Sequence, residues 1–135
     1  MDFLNFLKPK KKKQLFVSEI DFTANQDKQF RLLIESFLSL HDSSVQDENE
    51  CKIDYFFYTD SLEKAQKLEK ELRKMDYIVN YGIAIHDKSL FVISGRTIEI
   101  EMKHETVRKW VEEMCELGYN FDCSFDNWRI VEESK

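Results

Sequence analysis

The chain has 135 residues, 42% of them hydrophobic and 34% charged, with a formal net charge of −6. That length fits one domain able to bury roughly two-thirds of the surface its unfolded chain exposes. With only 3 Gly and 1 Pro against 11 Phe, 5 Tyr and 2 Trp, collagen-like, linker-rich and disordered acidic chains are excluded.

Residues 1–14 stand apart. Met1 to Leu7 is mostly apolar, and Lys8-Pro9 and a run from Lys10 to Lys13 follow. Five Lys and one Asp give this segment +4, which leaves 15 basic and 25 acidic residues, or −10, on the rest. It reads as a Lys-rich flexible tail ahead of a single domain over 15–135. An apolar run beside lysines can rest on anionic lipid, but one weak anchor does not hold a protein on a membrane.

A helix is predicted from about Asn25 to Leu40, with Phe30, Leu33, Ile34, Phe37 and Leu38 as one apolar stripe. Asp42-Ser43-Ser44 ends it, and Asp47-Glu48-Asn49-Glu50 reads as an acidic loop. Lys52 to Thr59 alternates as a strand rich in aromatic residues on both faces, which predicts a central strand covered on both sides. Asp60 stands three residues before Glu63, a capping-box spacing. The helix after it, about 61–75, buries Leu62, Ala65, Leu68, Leu72 and Met75 and pairs Glu63 with Lys67 and Glu69 with Arg73 on its wet face.

Tyr77 to Ile85 is a second strand, and Leu90 to Met102 a third extended segment broken at Ser94-Gly95 by a bulge or tight turn. A last helix, about 105–117, buries Val107, Trp110, Val111 and Met114 and stops at Gly118 as its C′ residue. The closing segment is extended around Trp128 to Val131. The order α, then β-α-β-β-α-β, predicts an α+β fold: a ferredoxin-like antiparallel sheet with an extra N-terminal helix on its other face or an edge.

Motifs that carry chemistry are few. Gly82, Gly95 and Gly118 are isolated, so no phosphate-cradling loop forms. Cys115, Cys123 and His104 have no zinc spacing, Cys115 reads as a small hydrophobe on a buried helix face, and His41, His86 and His104 read as solvated. Asp122 and Asp126 have acid-base residue types but fall in a loop-rich stretch suited to water. No catalytic residue, cofactor or metal site is predicted. Three cysteines cannot all pair within one chain, and no stretch spans a bilayer, so a reducing, cytoplasmic setting is expected.

Recognition of another macromolecule remains. Phe56, Tyr58, Tyr77, Tyr81 and Phe91 are candidates for a base-stacking platform on the sheet. The −10 of the folded part and the single basic residue of the third extended segment, Arg96, oppose direct nucleic-acid binding. Acidic surfaces at 42–50, with Glu48 and Glu50, and at 122–133, with Asp122, Asp126, Glu132 and Glu133, suit a basic protein segment.

The stretch Gly118-Tyr119-Asn120-Phe121-Asp122-Cys123-Ser124-Phe125-Asp126-Asn127-Trp128 resembles the end of the regulator of ribonuclease activity B (RraB) family. There a Tyr-Asp-Gly-Trp motif follows the last helix. Here Phe125 and Asn127 stand at its first and third positions, and Asn tolerates the left-handed turn that Gly would make. The order of elements over roughly 25–131 agrees as well. The resemblance implies a ferredoxin-like protein that binds the endoribonuclease RNase E and lowers RNA cleavage without acting on RNA. On that reading the motif turn Phe125-Asp126-Asn127-Trp128, together with Asp122, Glu48 and Glu50, faces a basic segment of the nuclease. Trp128 serves there as core or as interface anchor.

Overall fold

In the computed structural model, which describes residues 15–41 and 49–131, β1 (Glu50–Thr59) is the central strand. The Lys-rich tail at 1–14, Glu48 with most of the acidic loop, and Glu132 and Glu133 lie outside the described residues. Antiparallel β3 (Phe91–Arg96) lies on one side of β1 and β5 (Ser124–Val131) on the other, with β2 (Ile78–Ile83) outside β3. Short β4 (Ile100–Glu101) pairs with the start of β1. Three helices complete the described residues: α1 (Glu19–His41), α2 (Leu62–Lys74) and α3 (His104–Asn120). The architecture is α+β, a five-stranded antiparallel sheet with a helix ahead of it.

Strand alternation sends Ile53, Tyr55 and Phe57 of β1 to the helix side, where all three are fully buried with Leu68, Leu72 and Val111. An aromatic cluster closes this core: Phe125 lies 5.1 Å from Phe57, and Trp110 lies 5.8 Å from Phe125 and 5.9 Å from Trp128, ring to ring. Such pairs add about 0.5–1.5 kcal/mol beyond their burial. On the opposite side of β1, Phe56 and Tyr58 are half-buried and, among the described residues, no helix covers them. The expected covering of both faces is not found, because α1 packs against α3 and the outer strand β5 instead.

The helices start and stop on signals that periodicity alone misplaces. α1 begins six residues before Asn25, because the Ser18 hydroxyl accepts from the Asp21 N–H (3.1 Å) and Glu19 and Asp21 suit the positive end of the dipole. Its expected stripe splits: Leu33 is buried and Phe30 and Phe37 are half-buried, while Ile34 and Leu38 face water. α2 is capped by Ser61, which accepts from the Lys64 N–H, and not by Asp60, which bonds the Lys64 ammonium at 2.9 Å. Its expected pairs are present, Glu63 to Lys67 at 3.5 Å and Glu69 to Arg73 at 2.7 Å. Leu62 and Met75, placed in its core face from sequence, are exposed.

Gly118 does not end α3. A Cβ there would meet the Cys123 carbonyl oxygen at 2.7 Å and the Phe57 ring at 3.0 Å, so this glycine lets a continuing helix press onto the sheet. Nor is Ser94-Gly95 a break, since both residues pair in register with β1 and β2. The interruption falls at 97–99, where the Thr97 N–H donates to the Ile53 carbonyl and the Thr97 hydroxyl accepts from the Ile53 N–H, each at 2.9 Å.

Candidate docking surface

α3 ends in a reversal whose geometry decides what happens at Asp122. The Cys123 N–H returns to the Gly118 carbonyl (2.8 Å) and the Asp122 N–H to the Tyr119 carbonyl (3.1 Å), the paired bonds of a Schellman cap. Its C′ residue is therefore Asp122, at φ 57°, a left-handed conformation that Asp tolerates better than most side chains. The carboxylate is then aimed away from the helix. It accepts from the Phe16 N–H at 2.8 Å and the Val17 N–H at 2.7 Å, and it meets the Lys64 ammonium. Burial alone would raise its pKa, but Lys64 and the two amides outweigh that and hold the carboxyl below its usual range. Asp122 thus ties the segment ahead of α1 to the end of α3 and the start of α2.

Four residues on, the strand carries an irregularity. Phe57 pairs with Phe125 and Phe56 with Asn127, which leaves Asp126 as the extra residue of a β-bulge. The expected turn at Phe125-Asp126-Asn127-Trp128 is a bulge within β5, and the left-handed conformation expected of Asn127 falls on Asp76 and Asp122 instead. Helix α1 secures the bulge. Gln29, fully buried, donates to the carbonyls of Phe125 (3.2 Å) and Asp126 (3.0 Å), and Asn25 donates to that of Phe125 (2.7 Å). The Asn127 amide oxygen accepts from the Trp128 N–H at 2.9 Å, an acceptor that Gly would not supply.

The bulge leaves Asp126 exposed on a ridge between two clefts. One, of about 330 Å³, runs between α1 and β5 beside Lys28, Arg31 and Glu35. The other, of about 380 Å³, has an apolar floor of Phe16, Tyr58 and Leu90 and a rim of His86, Asp87 and Asp126. Phe16 reaches this floor because Asp122 holds its amide. The Ser89 hydroxyl and N–H hold the Asp87 carboxyl below its usual range, so Asp87 is ionised at neutral pH. The lining of this cleft holds the carboxylates of Asp87 and Asp126, while Lys28 and Arg31 share Asp126 in the neighbouring cleft and Asp60 and Asp122 are paired with Lys64. A larger groove of about 490 Å³ over Tyr77, Ile98 and Trp110 includes the stacking candidate Tyr77 but none of the acidic residues singled out from sequence.

The other candidates are not brought together. Glu50 is exposed at the far end of β1, opposite Glu101, while Asp126 lies beside the register step at Phe56 and Phe57. Six or seven strand residues separate them, roughly 20 Å at ~3.3 Å each. Trp128 is 2% exposed and faces α3, so it supports the bulge from inside. Of the proposed stacking aromatics, only Phe56 and Tyr58 are on the open face. Tyr81 accepts from Gln66 of α2, Tyr77 accepts from the Trp110 indole, and Phe91 packs on the core. Arg96 and Arg129 of the open face converge on buried Asp54, Arg96 at 2.6 Å and Arg129 at 3.0 Å.

Cys115 and Cys123 are buried, and burial pushes both thiols up to about 12, which leaves them un-ionised at neutral pH. Among the described residues no group of His, Cys, Asp and Glu is arranged to hold a metal ion, and no helix is long and apolar enough to cross a membrane.

Sequence reasoning missed Phe16, Asp87 and Leu90. The sequence signals for the cleft were Asp126 and the stacking candidate Tyr58; the rest is assembled by strand pairing and by Asp122. The family model for Regulator of ribonuclease activity B matches residues 34–129, from the second half of α1 to Arg129, and the chain belongs to that family. No curated protein matches the chain.

Proposed function

We propose that this member of the family is a non-catalytic binding protein. It lowers the activity of an endoribonuclease of the RNase E type by docking a basic segment of that enzyme. The observation that supports this most is the bulge at Asp126, which sets a carboxylate beside an apolar floor of Phe16, Tyr58 and Leu90. A lysine or arginine flanked by an apolar side chain fits that combination: the apolar part is buried and the cation meets Asp87 and Asp126. Charge complementarity of this kind contributes chiefly to encounter rate and specificity. The fold reads as ferredoxin-like, supported by the spatial order β2-β3-β1-β5 with two helices on one face. Among the other sequence candidates, Asp122 acts by positioning Phe16 and Trp128 by backing the bulge, while Glu48 and Glu50 belong to a separate, secondary contact.

The test is binding and inhibition with a purified nuclease of that type. The double variant Asp87→Lys/Asp126→Lys, both exposed positions, is expected to weaken binding at least tenfold and to flatten its salt dependence while the domain stays folded. Binding that survives the double reversal unchanged removes the acidic cleft from the reading. Retention on single-stranded RNA, abolished by Tyr58→Ala, would instead favour an RNA-binding sheet.

A further inference from the structure

The side of α1 turned away from the core carries a regular order of six residues, of which Arg31 also borders the cleft between α1 and β5. Ile20, Ile34 and Leu38 are 81%, 55% and 62% exposed, and Ala24, Asp27 and Arg31 are exposed between them. The six positions are spaced 4, 3, 4, 3 and 4 apart, which at about 100° per residue keeps them within about 40° of one line along the helix. That is the seam of a two-helix coiled coil. Gln29 and Leu33, the fully buried residues of α1, lie on its opposite side. Among the described residues neither Asp27 nor Arg31 has an ion-pair partner, unlike Asp54, Lys64 and Arg96.

From the N-terminal end the seam reads Ile, Ala, Asp, Arg, Ile, Leu. Reversed, it matches itself: apolar falls on apolar, and acid on base. We propose that α1 is an interface with a second copy of this chain, packed antiparallel across a twofold axis that crosses the seam midway between Asp27 and Arg31. Ile20 meets Leu38 of the other copy, Ala24 meets Ile34, and Asp27 pairs with Arg31, twice by symmetry. The small Ala24 opposite Ile34 lets the helices approach, and the paired charges at the centre fix direction and register. Parallel packing would set Asp27 on Asp27 and Arg31 on Arg31, so the charges exclude it. Four of the six positions precede residue 34, where the family match starts. The stripe is about 27 Å long at ~1.5 Å per residue, short of a standard interface, so the dimer is weak and concentration-dependent.

The test is sedimentation of the full chain from roughly 1 µM to roughly 1 mM, the range of weak affinities. The wild type is expected to pass from monomer to dimer within that range. Asp27→Arg and Arg31→Asp each place like charges in the seam and should raise the midpoint at least about tenfold, while Asp27→Arg/Arg31→Asp restores it. All these positions are exposed, so folding is not at stake. A chain that stays monomeric at the highest concentration overturns the proposal and leaves the stripe to another partner. A dimer indifferent to the single reversals, or not rescued by the double, overturns the antiparallel seam.

Discussion

Replacing Gly95 by alanine is expected to cost the domain about 3 kcal/mol or more. Gly95 lies on the helix side of β3, between Tyr55 of β1 and Val79 of β2. The Tyr55 side chain crosses over it and donates its hydroxyl to the Ile78 carbonyl at 2.7 Å. A Cβ at residue 95 would overlap both the Ile78 carbonyl oxygen and that hydroxyl, and the carbonyl is backbone in a paired strand, which cannot simply rotate aside. Overpacking of this kind costs ~1–3 kcal/mol and sometimes more, and loss of the Tyr55 bond adds ~1 kcal/mol. With a urea m-value of ~1–3 kcal/mol/M, the midpoint should fall by at least about 1 M with m unchanged. Tyr55→Phe removes only the hydroxyl and should cost about 1 kcal/mol. A Gly95→Ala midpoint within error of the Tyr55→Phe value would show instead that the strands part easily at this point.

The same residue shows what a sequence does and does not disclose. A glycine beside a serine in a strand pattern reads as a bulge or turn, because composition carries backbone freedom but not the neighbour that needs the space. Gly118 is the parallel case: helix-ending glycines are common, but here the helix presses on Phe57 and the reversal falls to Asp122. Periodicity succeeds where burial is one-sided. Val107, Trp110, Val111 and Met114 of α3 are all buried as their spacing predicts, and so are Ala65, Leu68 and Leu72 of α2. It fails on α1, where Ile34 and Leu38 belong to a second apolar stripe that this chain does not cover among its described residues. For the cleft, the spacing of acidic residues pointed to Asp126 but grouped it with Glu50, which the sheet places at its other end. Phe16 and Asp122 are 106 positions apart, and no local pattern announces their bond.

Asp122→Asn is expected to release residues 15–18 and to abolish docking while the sheet stays folded. The carboxylate accepts two backbone N–H bonds and the Lys64 ammonium at a site only 14% exposed. Charge-assisted bonds are worth ~1.5–3 kcal/mol each, so losing the charge should destabilise this local tether by about 3 kcal/mol, or roughly 100-fold faster exchange of the Phe16 and Val17 amides. The pH dependence has a fixed sign. The folded-state pKa is depressed, so the stabilisation is complete above the unfolded carboxylate value of ~3.9 and is lost as pH falls through the lower folded value. The wild-type tether should therefore hold at neutral pH and loosen below about pH 4, whereas the tether of the asparagine variant should not follow this titration. Asp122→Gly separates the two demands on this residue. It removes the cost of φ 57°, about 1 kcal/mol, and so should be globally more stable than the asparagine variant, yet it frees Phe16 just as fully. If the cleft depends on Phe16, both variants lose binding despite their different midpoints. A glycine variant that still binds the nuclease would show that Asp122 serves only the helix end, and Phe16 would have no part in recognition.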